Sequence, residues 1–501
     1  MPASIFAQLD HHASVTPNAP AVWAVGEHLP TDAPPALTYA QLHEQTCAAT
    51  AWVHAHCAPH AVIALITTNR PIAVPVFLGV LRAGRTLFPL DAALTEPEID
   101  AVIERAGIAH VVTDNPTAAR LARSAITFDD VLAHCPVPAH EDQSPAAWLW
   151  LQSSGTTGGP KIVRRNGPSL HAVARNIAHA ISLTPQDRVV AAVPMSHSYG
   201  LENALLAPLY AGASILHHIT DDLTQTVAQN GVQKQPNGPR GFNPAIALGR
   251  GATVLPGVPA LFEMILGGPT GCGSLRLAYS AGAPLPVEIA NALEARDGLT
   301  LGVLYGATEI GSITFSTHRS THGAVGQPMK GVDIRIVDPE HPACLQPDNT
   351  PGHVMVRAPS MFAGYLHANA EITPGGYFPT GDLGRIDPAT GELVLTGRLK
   401  LLIDIGGRKV NPLEVETAIA HHPDIAECVV LPDPVSPTIN RVRALITAAS
   451  GRHAPDARSL RLFLKPHLAA HKLPRSVEVR ASFPKSATGK ILRQQLHQTD
   501  A

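Results

Sequence analysis

The chain has 501 residues, 45% of them hydrophobic and 15% charged, with a net charge of −3. That length suits about two to four domains with a large buried core. The charge balance lacks the basic face that nucleic-acid binding needs. Six cysteines are scattered without a CxxC pair, which points to free thiols in a reducing compartment rather than a disulfide framework. The opening MPASIFAQLDHHASV has neither a basic n-region nor an apolar h-region, so a signal peptide is not expected. No apolar run reaches the roughly 18 residues of a membrane span. A cytoplasmic protein without a membrane span is the expectation. The 26 histidines have no evident physical reason in composition alone.

In chain order, AVIALI (61–66) and AHVVTD (109–114) predict parallel strands, with PIAVPVFLGVLRAG (71–84) a helix between them. AAWLWL (146–151) predicts a buried strand and SLHAVARNIAHAISL (169–183) a helix, with QSSGTTGGPK (152–161) in between. RVVAAVP (188–194), ATVLPG (252–257) and LRLAYSAG (275–282) extend the strand–helix alternation. That alternation implies parallel sheets with helices on both faces. QNGVQKQPNGPRGFNPAIALGRG (229–251) predicts a long loop or insertion. After Gly397 charges become frequent and two βα-like units follow, at 414–433 and at 441–448 with a helix over 459–471. The predicted fold class is α/β: a large domain of parallel-rich sheets over residues 1–397 and a small α+β domain over 398–501.

The stretch Ser153–Lys161 supplies what a polyphosphate loop needs. Glycines allow close backbone approach, successive N–H groups form an anion nest, and hydroxyls and a lysine add donors. It sits between a strand and a helix, a usual phosphate-binding context. The GxxxxGK[ST] loop is excluded, because the sixth position from Gly155 is Pro160 and Ile162 follows Lys161. Further polar clusters stand near the ends of apolar runs. PMSHSYG (194–200) carries His197 and Tyr199, and YSAGAPL (279–285) forms a turn. VLYGATEIGS (303–312) places Thr308 and Glu309 past a strand end, and YFPTGDLGRID (377–387) places Asp382 in a glycine turn. GRLKLLIDIGGRKV (397–410) carries Arg398, Lys400 and Gly407, and FPKSATGK (483–490) ends on Lys490.

SSGTTGGPK, YGATE, TGD, GRLK and PKSATGK occur in one order, and with them the chain resembles an acyl-CoA synthetase of the adenylate-forming superfamily. That superfamily also includes luciferases and peptide-synthetase adenylation domains. The resemblance runs from near Phe6 to the C-terminus. It implies an enzyme that activates a carboxylic acid with ATP to an acyl-adenylate, releases pyrophosphate and passes the acyl group to a thiol. It implies that Ser153, Ser154, Gly155, Thr156, Thr157, Gly158 and Lys161 close on the ATP phosphates. Gly282, Ala283 and Pro284 would lie against adenine, and Tyr305, followed by Gly306, would stack on it. Thr308 would reach the α-phosphate, Glu309 would hold Mg²⁺ with Ser153, and Asp382 and Arg398 would bind the ribose. Lys490 is implied as the catalytic cation and Lys400 as the hinge. Gly407 would lie along the pantetheine arm, with His197 and Tyr199 on the acyl and thiol side.

The implied cofactors are ATP, Mg²⁺ and CoA, or the phosphopantetheine of an acyl carrier protein. The partners are a small carboxylic acid and CoA or a carrier protein, with no nucleic acid, in a monomer or homodimer. A non-catalytic adenylate-binding relative would lack Lys490, Glu309 or Asp382, and all three are present. HAHCAPH (54–60) lacks the HExxH spacing of a metal hydrolase. The sequence departs from the family pattern at IVRRNGPS (162–169), where a Thr-His pair is usual, and at Lys330, Asp404 and PGH (351–353).

Overall fold

A computed structural model describes residues 4–25, 33–67, 70–92, 94–113, 125–133, 148–153, 161–218, 244–268, 271–318, 323–401, 403–405, 408–436, 439–468, 472–485 and 491–496. The chain forms two compact units. One comprises Met1–Arg319, Gly326–Asp333 and Arg357–Ile372. The other comprises Ser320–Val325, Ile334–Val356 and Thr373–Ala501.

The first unit contains two large sheets. In the seven-stranded sheet the order is Tyr365–Leu366, Lys161–Asn166, Trp148–Ser153, Thr86–Asp91, Val62–Thr67, Ile108–Thr113, Ala125–Ile126. From Trp148–Ser153 onward neighbours run parallel; Lys161–Asn166 pairs antiparallel with the strands on either side of it. The strands Val62–Thr67 and Thr86–Asp91 are buried along almost their whole length, as continuous apolar runs covered on both faces should be. The nine-stranded sheet has the order Gln327–Pro328, Gly311–Ser316, Leu301–Ala307, Leu277–Ser280, Val254–Gly257, Arg188–Val190, Ser214–His218, Pro20–Val25, Leu37–Thr38. Its central strands, from Leu301–Ala307 to Pro20–Val25, are parallel.

The helices between them start and stop where side chains satisfy their ends. The helix Tyr39–His56 begins on a capping box in which Thr38 and Gln41 each satisfy the other's backbone N–H. The helix Gly167–Ala180 starts at Asn166, whose side chain accepts from the Ser169 N–H, with Pro168 in its first turn. Glu96–Ala106 ends on Gly107 at φ 60°, a left-handed cap that a Cβ would strain.

The second unit is built around a four-stranded sheet, Asp333–Val337, Gly352–Arg357, Phe378–Ile386, Leu393–Arg398, and a three-stranded sheet, Ile425–Ser436, Ile439–Ala448, Ser476–Val479. The helices Pro412–Ala420 and Ala457–Leu464 pack on the latter through Val415, Ile419, Leu460 and Leu464.

Several sequence expectations shift. The predicted strands at 188–194, 252–257 and 275–282 shorten to Arg188–Val190, Val254–Gly257 and Leu277–Ser280, and the helix at 459–471 to Ala457–Leu464. Within the predicted insertion, 229–243 lies outside the described residues, and Pro244–Gly249 is a helix rather than loop. Asp382 lies inside the strand Phe378–Ile386, not in a turn. The TGD glycine-turn pattern is overridden there by cross-strand pairing with Arg398. No described helix is long and apolar enough to cross a membrane.

Phe262 is fully buried in the core under the nine-stranded sheet. Truncating a buried aromatic removes its transfer energy and leaves a cavity. Phe262→Ala is expected to cost about 3–5 kcal/mol, read as a lowered urea midpoint of the first unfolding transition by circular dichroism.

Candidate active site

In the first unit the strand Trp148–Ser153 and its antiparallel neighbour Lys161–Asn166 bring Ser153 directly opposite Lys161. Ser153 Oγ donates to the Lys161 carbonyl at 3.4 Å. Ser154, Gly155, Thr156, Thr157 and Gly158 lie outside the described residues. The Lys161 ammonium lies 4.6 Å from the Tyr365 ring centroid, within cation–π range. Tyr365 in turn donates its hydroxyl to Glu309 Oε1 at 2.9 Å. Lys161 and Glu309, far apart in sequence, are thus joined through one ring. Burial first, and the Glu309 carboxylate second, raise the Tyr365 phenol well above its usual range, so it stays a donor. Tyr365 was not among the residues singled out from sequence. Its only signal is an aromatic in the short run GYL, which by itself marks nothing.

Tyr305 and Gly306 belong to the strand Leu301–Ala307, and Thr308 and Glu309 to the turn that follows it. Thr308 is held from two sides. Its Oγ1 accepts from Ser198 Oγ at 3.4 Å, and its carbonyl accepts from Arg165 Nη1 at 3.3 Å. Arg165 is fully buried and pairs at 2.9 Å with Glu202, which is also buried. Arg165 Nε also donates to Ser169 Oγ at 3.1 Å. Glu202 begins a π-helical turn, Glu202–Leu206, of the kind that recurs at functional sites. Burial pushes the Glu202 carboxyl up, and Arg165 and the Ser312 N–H oppose that. Gly311, the first residue of the strand Gly311–Ser316 after the Thr308–Ile310 turn, has φ 85°. A Cβ there would stand 2.8 Å from Val173 Cγ2 and 3.2 Å from the Glu202 carboxylate, so the turn can come this close only because the residue is glycine.

His197 caps the short helix Ser198–Leu201. Its Nε2 is buried and lies 3.9 Å from Asp91 Oδ2, too far for a hydrogen bond. Burial lowers its pKa below 6.5, partly offset by Asp91, which favours neutral imidazole at neutral pH. Tyr199 donates to the Tyr279 carbonyl at 3.4 Å, and their rings meet edge to face at 6.4 Å. Tyr279 donates to Asn203 Oδ1 at 2.8 Å and packs on Phe315. Tyr199, Tyr279 and Phe315 therefore form a contiguous aromatic cluster two residues along from His197. Gly282, at φ 84°, with Ala283 and Pro284, follows the strand Leu277–Ser280.

In the second unit the buried Asp382 accepts from Arg398 Nε at 2.7 Å, opposite it across the sheet. The Gly381 N–H donates to His353 Nε2 at 3.0 Å, so that nitrogen is unprotonated. Burial lowers the His353 pKa accordingly, with Asp382 opposing. Lys400 lies in the 3₁₀ turn Leu399–Leu401. Gly407 and Lys490 lie outside the described residues. The chain flanking Lys490 is anchored: Lys485 pairs with Glu427 at 2.7 Å, Lys485 bridges to Ile491, and Phe483, Ile491 and Leu496 pack on Val429, Leu431 and Leu445.

The AMP-binding enzyme family matches residues 9–366, and the AMP-binding enzyme C-terminal domain matches residues 414–490. The chain belongs to the AMP-binding enzyme family. An oxalate–CoA ligase of Arabidopsis thaliana is 29% identical over 91% of this chain and 92% of its own. A sulfoacetate–CoA ligase of Cupriavidus necator is 30% identical over 80% of this chain and 76% of its own. The ATP-bound crystal structure of MatB from Rhodopseudomonas palustris superposes with a TM-score of 0.84 at 26% identity, covering 99% of this chain and 98% of that one. This AMP-binding enzyme is an acid–thiol ligase. It uses ATP to convert a carboxylic acid to an acyl-adenylate with release of pyrophosphate, and CoA to form the thioester.

Removing one partner of a buried ion pair strands a charge and typically costs about 3–5 kcal/mol, whereas replacing both is often close to neutral. Arg165→Met should therefore lower stability by roughly that amount and displace Thr308, cutting ATP–pyrophosphate exchange. The Arg165→Met/Glu202→Met pair should recover most of the stability. Urea unfolding of the three variants checks this; equal losses for single and double variants would refute the coupling.

Proposed function

We propose that the ligase carries out adenylation with Lys490 as the catalytic cation and the Ser153–Lys161 hairpin as the phosphate cradle. The observation that best supports this is the Lys161–Tyr365–Glu309 chain, which sets a phosphate-seeking ammonium beside a carboxylate. Ser154, Gly155, Thr156, Thr157 and Gly158 would complete the cradle. Gly282, Ala283 and Pro284 would lie along adenine, with Tyr305 stacked on it beside Gly306. Thr308, oriented by Arg165 and Ser198, would donate to the α-phosphate. Asp382 would accept from the ribose hydroxyls while Arg398 holds it in place.

A carboxylate oxygen of the acid attacks the α-phosphorus, the bond to the bridging oxygen breaks, and pyrophosphate leaves. Charge grows on the non-bridging and leaving oxygens, so catalysis is mainly positioning and electrostatic stabilisation, which an ammonium at Lys490 would supply. The thiol of CoA then attacks the acyl carbonyl and AMP leaves. His197, favoured as neutral imidazole by burial, would hydrogen-bond the acid or the incoming thiol.

Magnesium fits the donor set. No group of three or more His, Cys, Asp or Glu side chains that could hold a metal occurs among the described residues, so there is no all-protein cage. Mg²⁺ is typically held by one or two carboxylates plus substrate phosphates; here Glu309 would supply the carboxylate and Ser153 a hydroxyl oxygen. When bound it would neutralise phosphate charge.

Residues 1–397 would form the acyl- and nucleotide-binding domain, and 398–501 a lid that turns about Lys400 between half-reactions, bringing Gly407 in along the pantetheine arm. The described cysteines are free thiols, which suits a cytoplasmic setting. The acid would be flat or of medium length, because the half-buried rings of Tyr199 and Phe315, backed by the fully buried Tyr279, offer aromatic surface rather than charge.

Lys490→Ala is expected to abolish ATP–pyrophosphate exchange while sparing thioester formation from supplied acyl-AMP; equal loss of both half-reactions would remove Lys490 from the assigned role. In a panel scored by acid-dependent AMP formation with CoA, flat acids such as ferulate should exceed oxalate, malonate and sulfoacetate at equal concentration. The reverse order would overturn the reading of the acyl wall.

A further inference from the structure

The histidine-rich segment 54–60, which has no place in the adenylation chemistry, borders a cavity of about 570 Å³ in the first unit. The cavity opens at the amino ends of two strands of the seven-stranded sheet, at Thr86 and Trp148. The same strands end at Asp91, which faces His197, and at Ser153, which flanks the phosphate loop. Six residues of extended chain put those ends roughly 17 Å away, so the cavity is separate from the reaction centre.

Its chemistry is distinctive. Trp148 and Trp150 are alternate residues on one face of their strand, and Arg164 stands opposite Trp150 on the next. The Arg164 guanidinium lies 5.9 Å from the Trp148 ring centroid. Arg85 donates through Nη1 to the Ala83 carbonyl at 2.7 Å and through Nη2 to the Cys57 carbonyl at 3.3 Å, which fixes its fork. The Nε atoms of Arg85 and Arg164 are both buried with no hydrogen-bond partner among the described residues. His54 and His60 stand exposed at the rim, and no carboxylate occurs among the described lining residues. Two permanent cations, two imidazoles and two indoles thus share a concavity of ordinary ligand-site size. Two cations with no carboxylate beside them among the described lining residues repel each other, and an anion held between their exposed N–H groups relieves that repulsion. Indole rings favour a flat partner by stacking.

We propose that this cavity is a second ligand site, selective for a planar aromatic anion. An arene bearing one carboxylate or one phosphate would lay its ring against Trp148 and Trp150 and its anionic group against Arg85 and Arg164.

Isothermal titration of the full-length enzyme with 2-naphthoate and with 2-naphthyl phosphate tests this, the two probes separating carboxylate from phosphate preference. At least one probe is expected to bind saturably. Affinity should fall at least tenfold in Trp148→Leu and in Arg85→Met/Arg164→Met, with turnover of the enzyme's own acid retained. The exposed variant His60→Gln, which leaves the interior packing intact, should weaken binding by a smaller factor. Should the double arginine variant fail to fold, Trp148→Leu decides. No saturable binding of either probe, or binding that Trp148→Leu leaves unchanged, overturns the proposal.

Discussion

The buried ion pair between Arg165 and Glu202 is the interaction on which the candidate site residues of the first unit depend. Arg165 projects from the strand Lys161–Asn166, Glu202 from a π-helical turn, and the Arg165 guanidinium also reaches the carbonyl of Thr308. One fork of donors thus registers three segments distant in sequence. Such a pair contributes little net stability, because desolvation of both charges offsets their attraction. Its value is geometric: a planar guanidinium has few ways to meet its acceptors at once. The π turn and the left-handed Gly311 follow from the same constraint, since both allow backbone to close around the carboxylate.

A second connection runs through Tyr365. Lys161, at the end of the glycine- and hydroxyl-rich stretch, packs on its ring, and Glu309 accepts from its hydroxyl. An aromatic residue here does two jobs that neither charge could do for the other. It contacts the ammonium through its ring face and the carboxylate through its hydroxyl, so the two charges are linked without pairing through a direct hydrogen bond of their own. In the second unit Asp382 and Arg398 use a simpler device, a cross-strand pair whose register holds the carboxylate still.

Much of the fold was legible in the linear order of residues. Continuous apolar runs such as AVIALI marked buried parallel strands. The site motifs were legible as well, because glycine, hydroxyl and acidic residues at strand ends have few structural uses in that density. What failed was local. Asp382 reads as a turn residue because TGD is a turn composition, yet pairing with Arg398 keeps it in a strand. Pro244–Gly249 reads as loop from its glycine- and proline-rich surroundings and is helical.

The sequence by itself determined the family, the chemistry and the identity of most candidate site residues, since these rest on residue types in a fixed order. Only tertiary structure decided that Arg165, Glu202 and Tyr365 stand among them, and that His54, His60, Arg85 and Arg164 share a cavity with two tryptophans. The reason is physical. A guanidinium or a phenol has no preferred sequence context, and its partners lie tens to hundreds of residues away, joined only when the sheets form.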